Sequence, residues 1–129
     1  PNLRKAFFAD TSRQTITLEF LPATSQITAS SDSLLVNGVY RSLRDAFLLN
    51  GRTSEGKSLL DAPGWIDRIE ANATNTVRIR LRKGVQAERI TYIPSKFYPA
   101  SSAVYNGPWL ITKRGVGVLS FYRAAIQAP

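Results

Sequence analysis

The chain has 129 residues, a hydrophobic fraction of 43% and neither Cys nor His. That composition suits one globular domain and removes disulfides, thiolate or imidazole metal sites, Ser–His triads and imidazole acid–base chemistry. Lys and Arg number 17 against 9 Asp and Glu, a formal net charge of +8 that favours polyanionic partners.

Strand signals run through the chain from its start. Residues 3–9 read as a first strand. Thr15-Ile16-Thr17-Leu18-Glu19-Phe20 alternates polar and apolar, with Ile16, Leu18 and Phe20 on one face. Residues 42–49 break that pattern. Leu43, Ala46 and Phe47 stand at helical spacing, Ser42 with Asp45 resembles a capping box, and Asn50-Gly51 is a stop signal. A short helix or helical turn is expected there, with Tyr40 and Phe47 packing it onto a sheet. A long polar loop is expected over 51–64.

Residues 65–71 form a less regular strand candidate, since neither alternate face is wholly apolar; Trp65 is read as a core or core-edge residue. Val77, Ile79 and Leu81 share one face of the next strand, and Arg89 to Ile93 follows after Lys83-Gly84. Gly115 to Phe121 reads as a further strand and Ala124 to Ile126 as a short last one. About seven short strands with little helix predict an all-β fold: an antiparallel two-sheet sandwich, immunoglobulin-like, filling 1–129 as one module. No apolar run approaches the ~20 residues of a membrane-spanning helix, so no membrane insertion is expected. The chain opens on Pro1 and contains no Met, which is read as an excised piece or mature product.

Several segments together resemble a known group. Pro1 to Phe8 with Ile16 to Phe20 resembles the start of bacterial immunoglobulin-like modules of the SwmB/SbsA kind. Leu35-Val36-Asn37-Gly38, and Val77 to Leu81 followed by Arg89 to Tyr92, are similar to later elements of those modules. Tyr105-Asn106-Gly107-Pro108-Trp109-Leu110 and Gly117 to Phe121 resemble the closing segment of β-sandwich domains appended to SGNH carbohydrate esterases, sialate O-acetylesterase-like proteins among them. Residues 39–64 depart from the pattern by being longer. The resemblance implies an accessory domain beside a catalytic domain in the parent chain, secreted or periplasmic. It transfers no catalytic residue; such modules serve as spacers, stability partners or glycan binders.

Two constellations could carry function. Arg78, Arg80 and Arg82 fall on the face opposite Val77, Ile79 and Leu81, with Arg89 or Lys83 as possible extensions. Guanidiniums spaced about 7 Å apart along a strand suit a repeating anionic polymer. The alternative is a solvated face on which these Arg pair with Glu19 or Glu70. The second constellation is the aromatic stretch over 94–109, where Tyr98, Tyr105 and Trp109, with Lys96 among them, could stack on sugar rings or fold back and cap the sandwich; Phe97 is expected to do the latter. Asp10, Asp32, Asp61, Asp67 and Glu70 stand in no glycosidase or calcium-loop context and are expected to pair with Arg. Gly115-Val116-Gly117 lacks the spacing of a phosphate loop.

The expected function is thus a non-catalytic carbohydrate-binding module that favours acidic polysaccharide, with no cofactor, no metal and no enzymatic activity. A structural spacer or docking domain is the alternative. Nucleic acid ranks third as a partner, because no recognition helix or RNP-like pattern is present.

Overall fold

A computed structural model describes residues 1–29, 34–36, 39–53, 65–93 and 110–129. Strands β1 (Asn2–Phe8) and β2 (Thr15–Leu21) form the opening hairpin, followed by the short strands β3 (Ile27–Ala29), β4 (Leu34–Val36) and β5 (Val39–Arg41). A 3-10 turn, Leu43–Ala46, leads directly into β6 (Phe47–Thr53). Then come β7 (Ile66–Ala73), β8 (Thr76–Leu81), β9 (Val85–Tyr92), β10 (Leu110–Thr112) and β11 (Phe121–Gln127).

The fold is all-β, as expected. Its main body is one curled sheet of seven strands in the order β6-β9-β11-β1-β2-β8-β7. β3 pairs with β10, and β4 with β5, as two small separate sheets. The sheet is mixed, whereas the sequence suggests purely antiparallel pairing. β1 offers two edges: β2 occupies one as an antiparallel hairpin partner, and the last strand runs parallel along the other, with Ala6 opposite Ile126 and Phe7 opposite Gln127.

Alternation explains the core. Ala6 and Phe8 of β1, Ile16, Leu18 and Phe20 of β2, and Val77, Ile79 and Leu81 of β8 all point into the curl and are buried. Phe47, Leu49, Ile90 and Tyr92 fill the other half. Burying a side chain of this size contributes roughly 1.5–3 kcal/mol. Ile27 of β3 and Leu110 of β10 belong to the same apolar cluster. Tyr92 ties these parts together. Its ring packs between Phe47 and Phe121, at 5.1 and 5.7 Å, and its hydroxyl oxygen accepts a 2.7 Å hydrogen bond from the Leu110 backbone N–H. Trp65 packs half-buried against the core, as a core-edge residue should.

The short helix or helical turn expected within 42–49 is a 3-10 turn, Leu43–Ala46, that ends before the expected stop signal. The capping box is real, with the Asp45 carboxylate accepting from the Ser42 backbone N–H at 2.7 Å. Chain extension nevertheless begins at Phe47, because Phe47 and Leu49, two apart, are both buried by strand pairing with β9. Asn50-Gly51 is therefore no helix stop but the site of a bulge within β6. The expected strand over 115–121 is a hairpin turn and irregular chain instead. Gly115 has φ +83 and donates to the Thr112 carbonyl, and only a single bridge, Ile111 with Gly117, follows before β11 begins at Phe121.

Candidate functional site

The outer face of β8 is cationic for the reason its inner face is apolar: successive side chains alternate. Arg78 is exposed and Arg80 is half-buried on this face. Arg82, also exposed, lies just past the end of β8, where its backbone N–H bonds the Trp65 carbonyl.

Cross-strand register determines what these cations meet. On one side β7 places Arg68 opposite Arg80 and Glu70 opposite Arg78. Two like charges directly opposite repel. Glu70 relieves this by bonding both: the Arg68 guanidinium contacts its Oε1, and Arg80 Nε donates to the same atom at 3.2 Å. Arg78 has no ion-pair partner among the described residues. Two guanidiniums thus share one carboxylate, and Arg78 stands opposite it in register.

On the other side β2 sets Thr15 opposite Arg80 and Thr17 opposite Arg78, and β1 sets Phe7 opposite Thr17. Thr17 is buried although it points outward, since longer neighbours cover it. Phe7 is half-buried, and the Lys5 ammonium stands 5.1 Å from the centre of its ring. Glu19 accepts from Arg4 at 2.7 Å and lies 3.9 Å from Lys5. Among its described residues the face spanned by β1, β2, β8 and β7 therefore carries the cations Arg4, Lys5, Arg68, Arg78 and Arg80 with Glu19, Glu70 and the exposed bulge residue Asp67. Strands about 4.8 Å apart, with side chains about 7 Å apart along each, make this a broad platform on the outside of the curled sheet.

Of the residues singled out in the sequence, Arg78, Arg80 and Arg82 are thus on or beside one surface. Arg89 is exposed on β9, in the half of the sheet beyond β11. Lys96, Tyr98, Tyr105 and Trp109 lie outside the described residues. So do Asp32 and Asp61. Arg4, Lys5, Phe7 and Arg68 belong to the platform but were not singled out. For Phe7 the signal was available: in Phe7-Phe8 one ring must face outward if the other is core.

The carboxylates act locally. Glu70 and Glu19 are ion-paired, and Asp67 is exposed. Asp10, in the β1–β2 turn, accepts from the Ser12 hydroxyl and, at 2.9 Å, from the Ser12 backbone N–H. Those two bonds hold its carboxyl below the usual range. No cluster of three or more metal-ligating side chains occurs among the described residues. No known family model, curated protein or solved structure matches the chain. The platform thus brings guanidinium groups, an aromatic edge and hydroxyls together on one face.

Proposed function

We propose that the chain is a non-catalytic module that binds an anionic polysaccharide on the face of β1, β2, β8 and β7, in support of a carbohydrate-active enzyme in a secreted bacterial protein. The observation that carries this is that Arg68 and Arg80 share Glu70 while Arg78, opposite Glu70 in register, adds a further exposed guanidinium to the same face. A sheet face with more cationic than acidic side chains attracts anions from outside, and cations spread over four strands suit an extended polymer better than a compact ligand.

The connectivity supports an immunoglobulin-like reading of the fold. In that topology strands C, F and G form one sheet and A, B, E and D the other. The order β6-β9-β11-β1-β2-β8-β7 reads C-F-G-A-B-E-D, with the first strand antiparallel to the second and parallel to the last. The two sheets are then joined through β1 into one curled surface.

The test is retention on polyuronate, sulfated and neutral gels at low salt. Replacing Arg78 and Arg80 by Gln should weaken retention on the charged gels at least tenfold, and added salt should do the same to the native chain. Glu70→Gln should strengthen it, because a competing carboxylate is gone. Absence of retention on every gel at low salt refutes the proposal. The alternative, a structural spacer, draws on the same Glu70: it already satisfies Arg80 and Arg68, as a solvated face requires. On that reading Glu70→Gln lowers stability and changes no binding.

A further inference from the structure

A groove of about 360 Å³ opens at the end of the molecule where β1 begins. One wall is the β2–β3 connection and the other is the hairpin turn after β10. Both walls are held by hydrogen bonds within the chain. Ser25 donates to the Pro22 carbonyl through its N–H at 3.0 Å and its hydroxyl at 2.6 Å. The Lys113 N–H reaches the Gln26 carbonyl at 2.9 Å and so pins one wall to the other. Thr112 closes the turn, accepting from Gly115 through its carbonyl and from Val116 through its hydroxyl. The groove is therefore preformed.

Its lining is amphipathic and one-signed. Pro1, Pro22 and Val116 give apolar surface, and Thr24, Ser25 and Gln26 give hydrogen-bonding groups. Lys113 and Arg114 are exposed, and neither has an ion-pair partner among the described residues. No carboxylate lines the groove. Among the described residues the exposed large apolar side chains are Leu21, Val116, Leu119 and Tyr122, and the first three gather at this end: Val116 in the wall, Leu21 beside Pro22, and Leu119 bonded through its N–H to the Pro1 carbonyl.

A ligand that satisfies all of this carries a negative charge, several hydroxyls and an apolar face. Its volume must suit a site near the small end of ligand pockets, roughly 300–1,000 Å³. We propose that the groove is a separate subsite for a single carboxylated sugar ring, with Lys113 and Arg114 on the carboxylate and Pro22 and Val116 under the ring. The class of ligand rests on the polysaccharide reading above; the site does not, since it shares no residue with the β1, β2, β8 and β7 face.

The experiment is a titration of the 15N-labelled chain with sodium glucuronate, glucose and acetate. Glucuronate should give saturable shifts at Ser25, Gln26 and Thr112 to Val116, and glucose and acetate at least tenfold weaker ones. Replacing Lys113 and Arg114 together by Gln should abolish the glucuronate response in a chain whose other signals are unmoved. An absent response to glucuronate, an equal response to acetate, or a response surviving that double replacement overturns the subsite. Arg78→Gln with Arg80→Gln separates the two ideas. It should leave the glucuronate titration intact while weakening polymer retention. Intact titration with no polymer retention by the native chain refutes the polymer platform alone; polymer retention with no titration refutes the groove alone.

Discussion

Single side chains hold this domain together where its parts meet. The Tyr92 hydroxyl serves the buried N–H of Leu110 and so links the main sheet to the small β3–β10 sheet. Tyr92→Phe keeps the ring between Phe47 and Phe121 but leaves that N–H without its acceptor. A stability loss of about 1–3 kcal/mol is expected in denaturant melts, with little change in near-native packing. At the surface, Asp10 is governed by Ser12. A carboxyl with a depressed folded-state pKa stabilises the fold above its unfolded pKa, and the contribution is lost as pH falls through the folded value. Ser12→Ala removes the larger of its two hydrogen bonds. The Asp10 carboxyl should then titrate closer to the ordinary carboxylate range in an NMR pH series, and the variant should lose its small contribution at a higher pH than the native chain.

At the scale of strands, bulges decided what could be read from the sequence. The strands β2 and β8 were legible because every second residue is apolar and no bulge interrupts their mutual register. β7 read poorly for a physical reason. Ile66 is buried and Ile69 packs on the core, three positions apart, which strict alternation forbids; a bulge between Ile66 and Arg68 supplies the extra residue. In the 42–49 segment, Leu43, Ala46 and Phe47 satisfy a helical period and Phe47 with Leu49 a strand period, and only pairing with β9 chooses between them. The same limit applies to the platform. Alternation alone puts Arg78 and Arg80 outward; Arg68 joins them through a β7–β8 hairpin whose bulge obscures its register, and Lys5 and Phe7 only through the pairing of β2 with β8, far apart in the chain. Gly51 is the sharpest of these points. It has φ +147, and a Cβ built there would stand 2.3 Å from the Gln86 carbonyl oxygen. Gly51→Ala is expected to cost about 1–3 kcal/mol in thermal or urea unfolding, by pushing β6 from β9.

For the molecule as a whole, the decisive contact is between its first and last strands. Among the described residues β11 is the link in the sheet order between the β6–β9 pair and the strands β1, β2, β8 and β7. Removing residues 121–129 divides the sheet and exposes the core edge of both halves. Such a chain should show no cooperative thermal transition, whereas the intact chain should unfold in one step by circular dichroism and by tryptophan fluorescence.

The parallel pairing of β1 with β11 also determines how the domain bears tension. Parallel neighbours place the start of β1 and the finish of β11 at opposite ends of the body. A force drawing those two points apart runs along both strands and across their hydrogen bonds, so the bonds are sheared together rather than unzipped in turn. The domain should then resist stretching through its two ends better than stretching between Gly51 and Gly84, positions on neighbouring antiparallel strands and turns. Single-molecule pulling with the two attachment geometries would compare the rupture forces, and equal forces would refute the shear clamp. A module with that property would keep its main sheet intact under tension applied through its two ends.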